Sequence, residues 1–93
     1  MKIGAMKVEL YIPAAASLKD KRNIIKSIME QCRNKFNVSI SEIDKLDLWK
    51  NSVIGLGSVS NDSKMIEKIF QGIIKYIDTV NEVELTDYTI DYY

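Results

Sequence analysis

From Lys2 to Ile12 apolar and polar residues alternate, with Met6, Val8, Leu10 and Ile12 on one side. A period of two predicts a half-buried strand, and Pro13 ends it. The period then lengthens. Leu18, Ile25, Ile28, Met29 and Cys32 recur at helical spacing, with Ser17 placed to cap the helix and Asp20 as the capping-box acid. Phe36 is expected to begin a second strand that buries Val38 and Ile40, and the polar run Asp44 to Asp47 reads as a turn. Trp49 to Ser60 reads as a third strand. Ser60 or Asn61 then caps a second helix whose inner face carries Met65, Ile66, Ile69, Phe70, Ile73, Ile74, Ile77 and Val80. Glu82 to Tyr92 alternates again and predicts a fourth strand.

The order βαββαβ is that of the ferredoxin-like α+β sandwich. Right-handed crossovers put both helices on one face of a four-stranded antiparallel sheet, in the order 4-1-3-2, and leave the other face open. Alternation assigns Ala5, Lys7, Glu9 and Tyr11, Ser39 and Ser41, and Val53, Gly55, Gly57 and Val59 to that open face. Tyr88, Ile90 and Tyr92 are expected beside them as part of a homodimer interface, because small central residues with marginal aromatics suit the approach of a second sheet. A bulge or bend in the third strand explains the two glycines equally well.

Ninety-three residues suit one domain spanning 1–93, large enough for a core without metal or disulfide staples. A 46% hydrophobic and 28% charged composition fits a globular chain. One cysteine, Cys32, leaves no internal disulfide and points to a reducing, cytoplasmic compartment. Lys2 and the small residues Ala14 to Ala16 imitate a secretory leader, but Lys7 and Glu9 interrupt its apolar stretch. No apolar run approaches a membrane span, so no membrane partner is expected.

The net charge of zero conceals an uneven distribution. Residues 1–35 hold eight bases against three acids, whereas the last 18 residues hold five acids and no base. Three bases fall in the segment Ser17-Leu18-Lys19-Asp20-Lys21-Arg22, where a helix N-terminus disfavours cations by roughly 0.3 to 1 kcal/mol each. An anion such as a phosphate would find free N–H groups and added positive charge there. On a helical wheel Lys19, Arg22, Lys26 and Arg33 share an outward stripe, while Lys21 falls on the side of Ile25, Ile28 and Cys32 and must curl out past the sheet end. Lys64, Lys68 and Lys75 add cations on the outer side of the second helix. Lys19, Lys21, Arg22, Lys26 and Arg33 are therefore the candidate anion- or nucleic-acid-binding residues. A solvated helix face with snorkelling lysines is the competing explanation.

Four blocks, Ser17 to Arg22, Asn34-Lys35-Phe36-Asn37-Val38-Ser39, Asp47-Leu48-Trp49 and Val59-Ser60-Asn61-Asp62, make the chain resemble the YlxP-like proteins, a bacterial family of unknown function, over nearly its whole length. The resemblance implies a ferredoxin-like fold and a gene setting among transcription and translation factors, near ribosome-binding factor A. It implies no activity. Two positions depart from the family pattern: Ala14 stands where a glycine is usual, and Lys45 near the middle turn where a histidine is common.

RNA or a ribosome-related particle is accordingly the favoured partner. Aromatics are absent from the middle of the third strand, where Gly55 and Gly57 stand, so RNA is expected on the helices or loops. Trp49 is expected to anchor the core. The alternative is a homodimeric protein-interaction module with no nucleic-acid role. An enzyme is not expected, since the chain has no histidine and Cys32 lies in an apolar stripe. The acylphosphatases share this fold, but their loop arginine has no counterpart in Pro13 to Ala16. Asp44 and Asp47 are turn formers rather than a metal site, and Gly55-Leu56-Gly57 is no nucleotide motif, so no cofactor is expected.

Overall fold

The computed structural model describes all residues, Met1–Tyr93. The elements are β1 (Lys2–Tyr11), α1 (Leu18–Lys35), β2 (Ser39–Asp44), β3 (Asn51–Ser60), α2 (Ser63–Asp78) and β4 (Glu84–Tyr92). They form one antiparallel sheet in the order β2-β3-β1-β4 with two helices, the ferredoxin-like α+β arrangement. Met6, Val8 and Leu10 of β1 and Ile54 and Leu56 of β3 pack with Ile25, Ile28 and Cys32 of α1 and Ile66, Phe70, Ile73 and Ile77 of α2 in one core. The opposite face carries Ala5, Lys7, Glu9 and Tyr11 across from Gly57, Gly55, Val53 and Asn51.

Local chemistry sets the helix starts. Ser17 Oγ accepts from the Asp20 N–H at 3.0 Å, and Asp20 Oδ2 accepts from the Ala16 N–H at 3.1 Å, a reciprocal cap reaching one residue further back than usual. Asp62, rather than Ser60 or Asn61, caps α2 and accepts from the Lys64 N–H at 2.9 Å. Phe36 does not begin a strand. It closes α1, donating its N–H to the Cys32 carbonyl, and its half-buried ring lies where a Cβ on Gly72 would approach it to 2.8 Å. Gly72 thus makes room for the ring on α2. Met65 and Trp49, both expected inside, are 49% and 53% exposed; Trp49 belongs to the turn before β3.

The placement of β4 requires a correction. Gly4 pairs with Tyr92, Met6 with Ile90 and Val8 with Tyr88. Directly opposed residues project to the same side of a sheet, and Met6 and Val8 face the helices. Tyr88, Ile90 and Tyr92 therefore lie on the helix side, where Ile90 packs against the core. They do not line the open face. The physical reason is that pairing with Gly4, Met6 and Val8 sets the phase of β4, and its apolar set follows the core. Asp87, Thr89 and Asp91 occupy the open side instead, opposite Glu9, Lys7 and Ala5.

Candidate anion-binding face

Five cations define the candidate site, and the structure separates them. Lys21 is fully buried. Its Nζ lies 2.6 Å from Glu42 Oε2 and donates to the carbonyls of Lys45 at 3.0 Å and Leu46 at 3.1 Å, which uses all three of its protons. Ser52 Oγ donates to the same Glu42 oxygen at 2.7 Å. The expectation that the Lys21 amine curls out past the sheet end is thus corrected: β2 offers the Glu42 carboxylate and the turn after it two carbonyls beneath the first turn of α1, and the amine stays with them. Its role is to fasten α1 to the β2–β3 hairpin.

Lys19, Arg22 and Lys26 are exposed on the outer stripe of α1, and none forms an ion pair. Arg33 is exposed but engaged, donating through Nη2 to the carbonyl of Ile40 at 3.0 Å on the edge strand β2. Lys35, outside the expected set, lies 5.2 Å from the centroid of the Tyr76 ring, a cation–π distance. This contact joins the C-terminal ends of α1 and α2 and could not be read from either helix alone. On α2, Lys68 and Lys75 flank a groove of about 420 Å³ floored by Phe36, Met65, Ile69 and Gly72.

Reactive chemistry is not favoured at Cys32. Burial raises its thiol from 9.0 to about 11, opposed by the nearby charges of Lys35 and Arg33. Burial also raises the Tyr76 hydroxyl, aided by Cys32 and Glu82. The open face holds a shallow depression of about 470 Å³ around Ala5, Gly55 and Gly57, bordered by Ser39, Ser41, Lys7 and Asp91. Ile43, the extra residue where β2 shifts register between Glu42 and Asp44, covers Gly55.

These features define a small ferredoxin-like α+β domain with cations exposed on its helical layer. The chain belongs to the family described as Protein of unknown function (DUF503), whose pattern matches residues 3–90. It is similar to the uncharacterized protein YlxP of Bacillus subtilis (strain 168), with 42% identity over 84 residues, 90% of this chain and 91% of that protein. Among solved structures it is similar to the de novo designed protein Foldit4, with TM-score 0.57, 14% identity, and 100% of this chain and 97% of that one covered. It is also similar to part of the VAO-type flavoprotein MtVAO713 from Myceliophthora thermophila C1, with TM-score 0.62 and 12% identity over 99% of this chain and 18% of that one. At such identities the structural likeness concerns the fold alone. No helix is long and apolar enough to cross a membrane.

Proposed function

We propose that this protein is a non-catalytic, cytoplasmic binding protein whose helical layer engages the phosphate backbone of RNA, alone or within a ribosome-related particle. The observation that carries this reading is the state of Lys19, Arg22 and Lys26: exposed, on one stripe of α1, and without carboxylate partners. Lys64, Lys68 and Lys75 extend positive charge over α2, which packs on the same side of the sheet. The sheet face used by RNA-recognition domains is unsuited to base stacking here, because Gly55 and Gly57 occupy the centre of β3.

Binding of single-stranded RNA and co-sedimentation with ribosomes, measured against salt, test the proposal. A Lys19→Ala, Arg22→Ala, Lys26→Ala variant should bind more weakly and lose about 2 from the slope of log affinity against log salt, since each phosphate contact on a single strand contributes roughly 0.7. Lys21 must stay in place, because its loss would disturb the fold. Equal affinity and equal slope for both proteins would refute the helical-face reading.

The depression over Gly55 and Gly57 favours a second reading, a homodimeric interaction module closed through the open sheet face. A Cβ on Gly57 would meet nothing closer than the Gly4 carbonyl at 4.0 Å, so Gly57→Arg can place a bulky cation there without a clash at its base. Dimers in sedimentation that Gly57→Arg dissociates would support that reading.

A further inference from the structure

The two edges of the sheet are unlike. β2 is six residues long, shifts register at Ile43 and has one carbonyl occupied by Arg33. Short length, irregularity and a covering cation are devices that blunt an edge. β4 runs nine residues, Glu84–Tyr92, without proline or lysine, and pairs only with β1; it has its own register shift at Thr86, beyond which Asp87–Tyr92 is regular. At about 3.3 Å per residue that regular stretch offers an open edge roughly 20 Å long.

The ladder shows which groups face outward. Ile3 and Tyr93 exchange both backbone hydrogen bonds, at 3.2 and 2.8 Å. In an antiparallel pair such residues alternate with outward-facing ones, so Asp91, Thr89 and Asp87 turn their backbone groups to β1 while Tyr92, Ile90 and Tyr88 turn theirs away. The Tyr88 N–H confirms the phase: it donates to the carboxylate of its neighbour Asp87 at 2.9 Å rather than to a strand. Side chains divide in the same rhythm. Tyr88 and Tyr92 remain 41% and 48% exposed on the helix side, where a groove beside α2 is lined by Ile90, Tyr92, Tyr93, Glu67 and Gln71. Asp87 and Asp91 line the open side.

We propose that β4 is a docking edge for an extended segment of a partner protein that adds as a fifth strand and alternates apolar with basic residues. Its backbone would pair with the outward groups of Ile90 and Tyr92 and the Tyr88 carbonyl, and would displace Asp87 from the Tyr88 N–H. Its apolar side chains would cover the two tyrosines beside α2, and its lysines or arginines would fall next to Asp87 and Asp91. A second copy of this chain fits less well, because pairing β4 with β4 about a two-fold axis brings both acidic rows to one seam. This edge lies apart from the cationic stripe of α1, and the inference stands independently of RNA binding.

A blocked nine-residue peptide alternating lysine and valine, titrated into isotope-labelled protein, tests it. The Tyr88, Ile90 and Tyr92 amides should shift and exchange more slowly with solvent. Asp87→Lys with Asp91→Lys should weaken the peptide at least tenfold while leaving the fold intact, since both side chains are exposed. Tyr88→Pro, which removes an outward N–H without touching the β1 ladder, should do the same. A peptide alternating glutamate and valine should not bind. No response of the β4 amides at millimolar peptide, or undiminished binding by the charge-reversed protein, would overturn the proposal. Equivalent shifts on concentrating the protein without peptide would overturn it in favour of self-pairing.

Discussion

Lys21 Nζ and Glu42 Oε2 meet at 2.6 Å with the lysine wholly shielded from water. An ion pair this buried contributes little net stability as a pair, but leaving one partner behind is costly. Lys21→Met should destabilise the fold by about 3–5 kcal/mol, because the Glu42 carboxylate loses its counter-charge and keeps only Ser52 as a donor, while the carbonyls of Lys45 and Leu46 lose Lys21. The double variant Lys21→Met, Glu42→Met should lose less than the sum of the two single changes. Urea titrations of the four proteins measure this coupling, and strictly additive losses would contradict it.

The strand and helix order was legible because each period belongs to an element packed on one core, and the helical wheel correctly set Lys21 beside Ile25, Ile28 and Cys32. The carboxylate that receives Lys21 was not legible. Glu42 lies 21 residues away on β2 and reads alone as one more polar strand position. The phase of β4 was misjudged for a related reason: Tyr88, Ile90 and Tyr92 are an apolar set on an edge, and only pairing with Val8, Met6 and Gly4 fixes which side they take. Trp49, apolar but set in a turn between two strands, stays exposed because no element covers that turn. Exposure of Lys19, Arg22 and Lys26 followed from helical periodicity, whereas the engagement of Arg33 with Ile40 depends on tertiary packing of α1 against the β2 edge.

Cys32 should make stability fall at high pH. Its folded thiol titrates at about 11 against 9.0 in the reference state, so the folded protein holds the proton more tightly. That contribution is full below about pH 9 and is lost as pH rises through about 11. At 1.36 kcal/mol per unit it is on the order of 2–3 kcal/mol. The informative quantity is the stability of the native chain minus that of Cys32→Ala, which cancels pH effects common to both proteins. This difference should decline by that amount from about pH 8 to pH 11. A constant difference would show that burial does not hold the folded thiol above its reference value.

Two glycines on opposite faces should respond oppositely to alanine. A Cβ on Gly4 would stand 2.5 Å from Ile66 Cγ2 and 3.0 Å from Phe70 Cε2, both on fully buried residues of α2. Gly4→Ala should cost about 1–3 kcal/mol by forcing α2 off the sheet. Gly57→Ala has open space above it and should stabilise the strand by roughly 0.5–1 kcal/mol through reduced freedom of the unfolded chain. Thermal unfolding of the two variants decides the matter: stabilisation of both would mean that α2 yields more readily than its packing indicates, and destabilisation of both would mean that the site above Gly57 does not accept a methyl group.

Lys45 is the one residue other than glycine with positive φ, at 58°. The left-handed region disfavours a side chain by about 1–2 kcal/mol, which glycine avoids and asparagine partly avoids. Its ion pair with Glu9, at 3.8 Å with both side chains about 40% exposed, offsets little of this. Its carbonyl, held by Lys21, is what the turn requires, and any residue supplies a carbonyl. Lys45→Gly should therefore leave stability unchanged or raise it by up to about 1 kcal/mol, while Lys45→Val should lower it, because a β-branched residue is most strained at positive φ. Both are read from unfolding midpoints in urea. Loss of stability in Lys45→Gly comparable to that in Lys45→Val would mean that the side chain, rather than the backbone angle, holds the turn over Glu42.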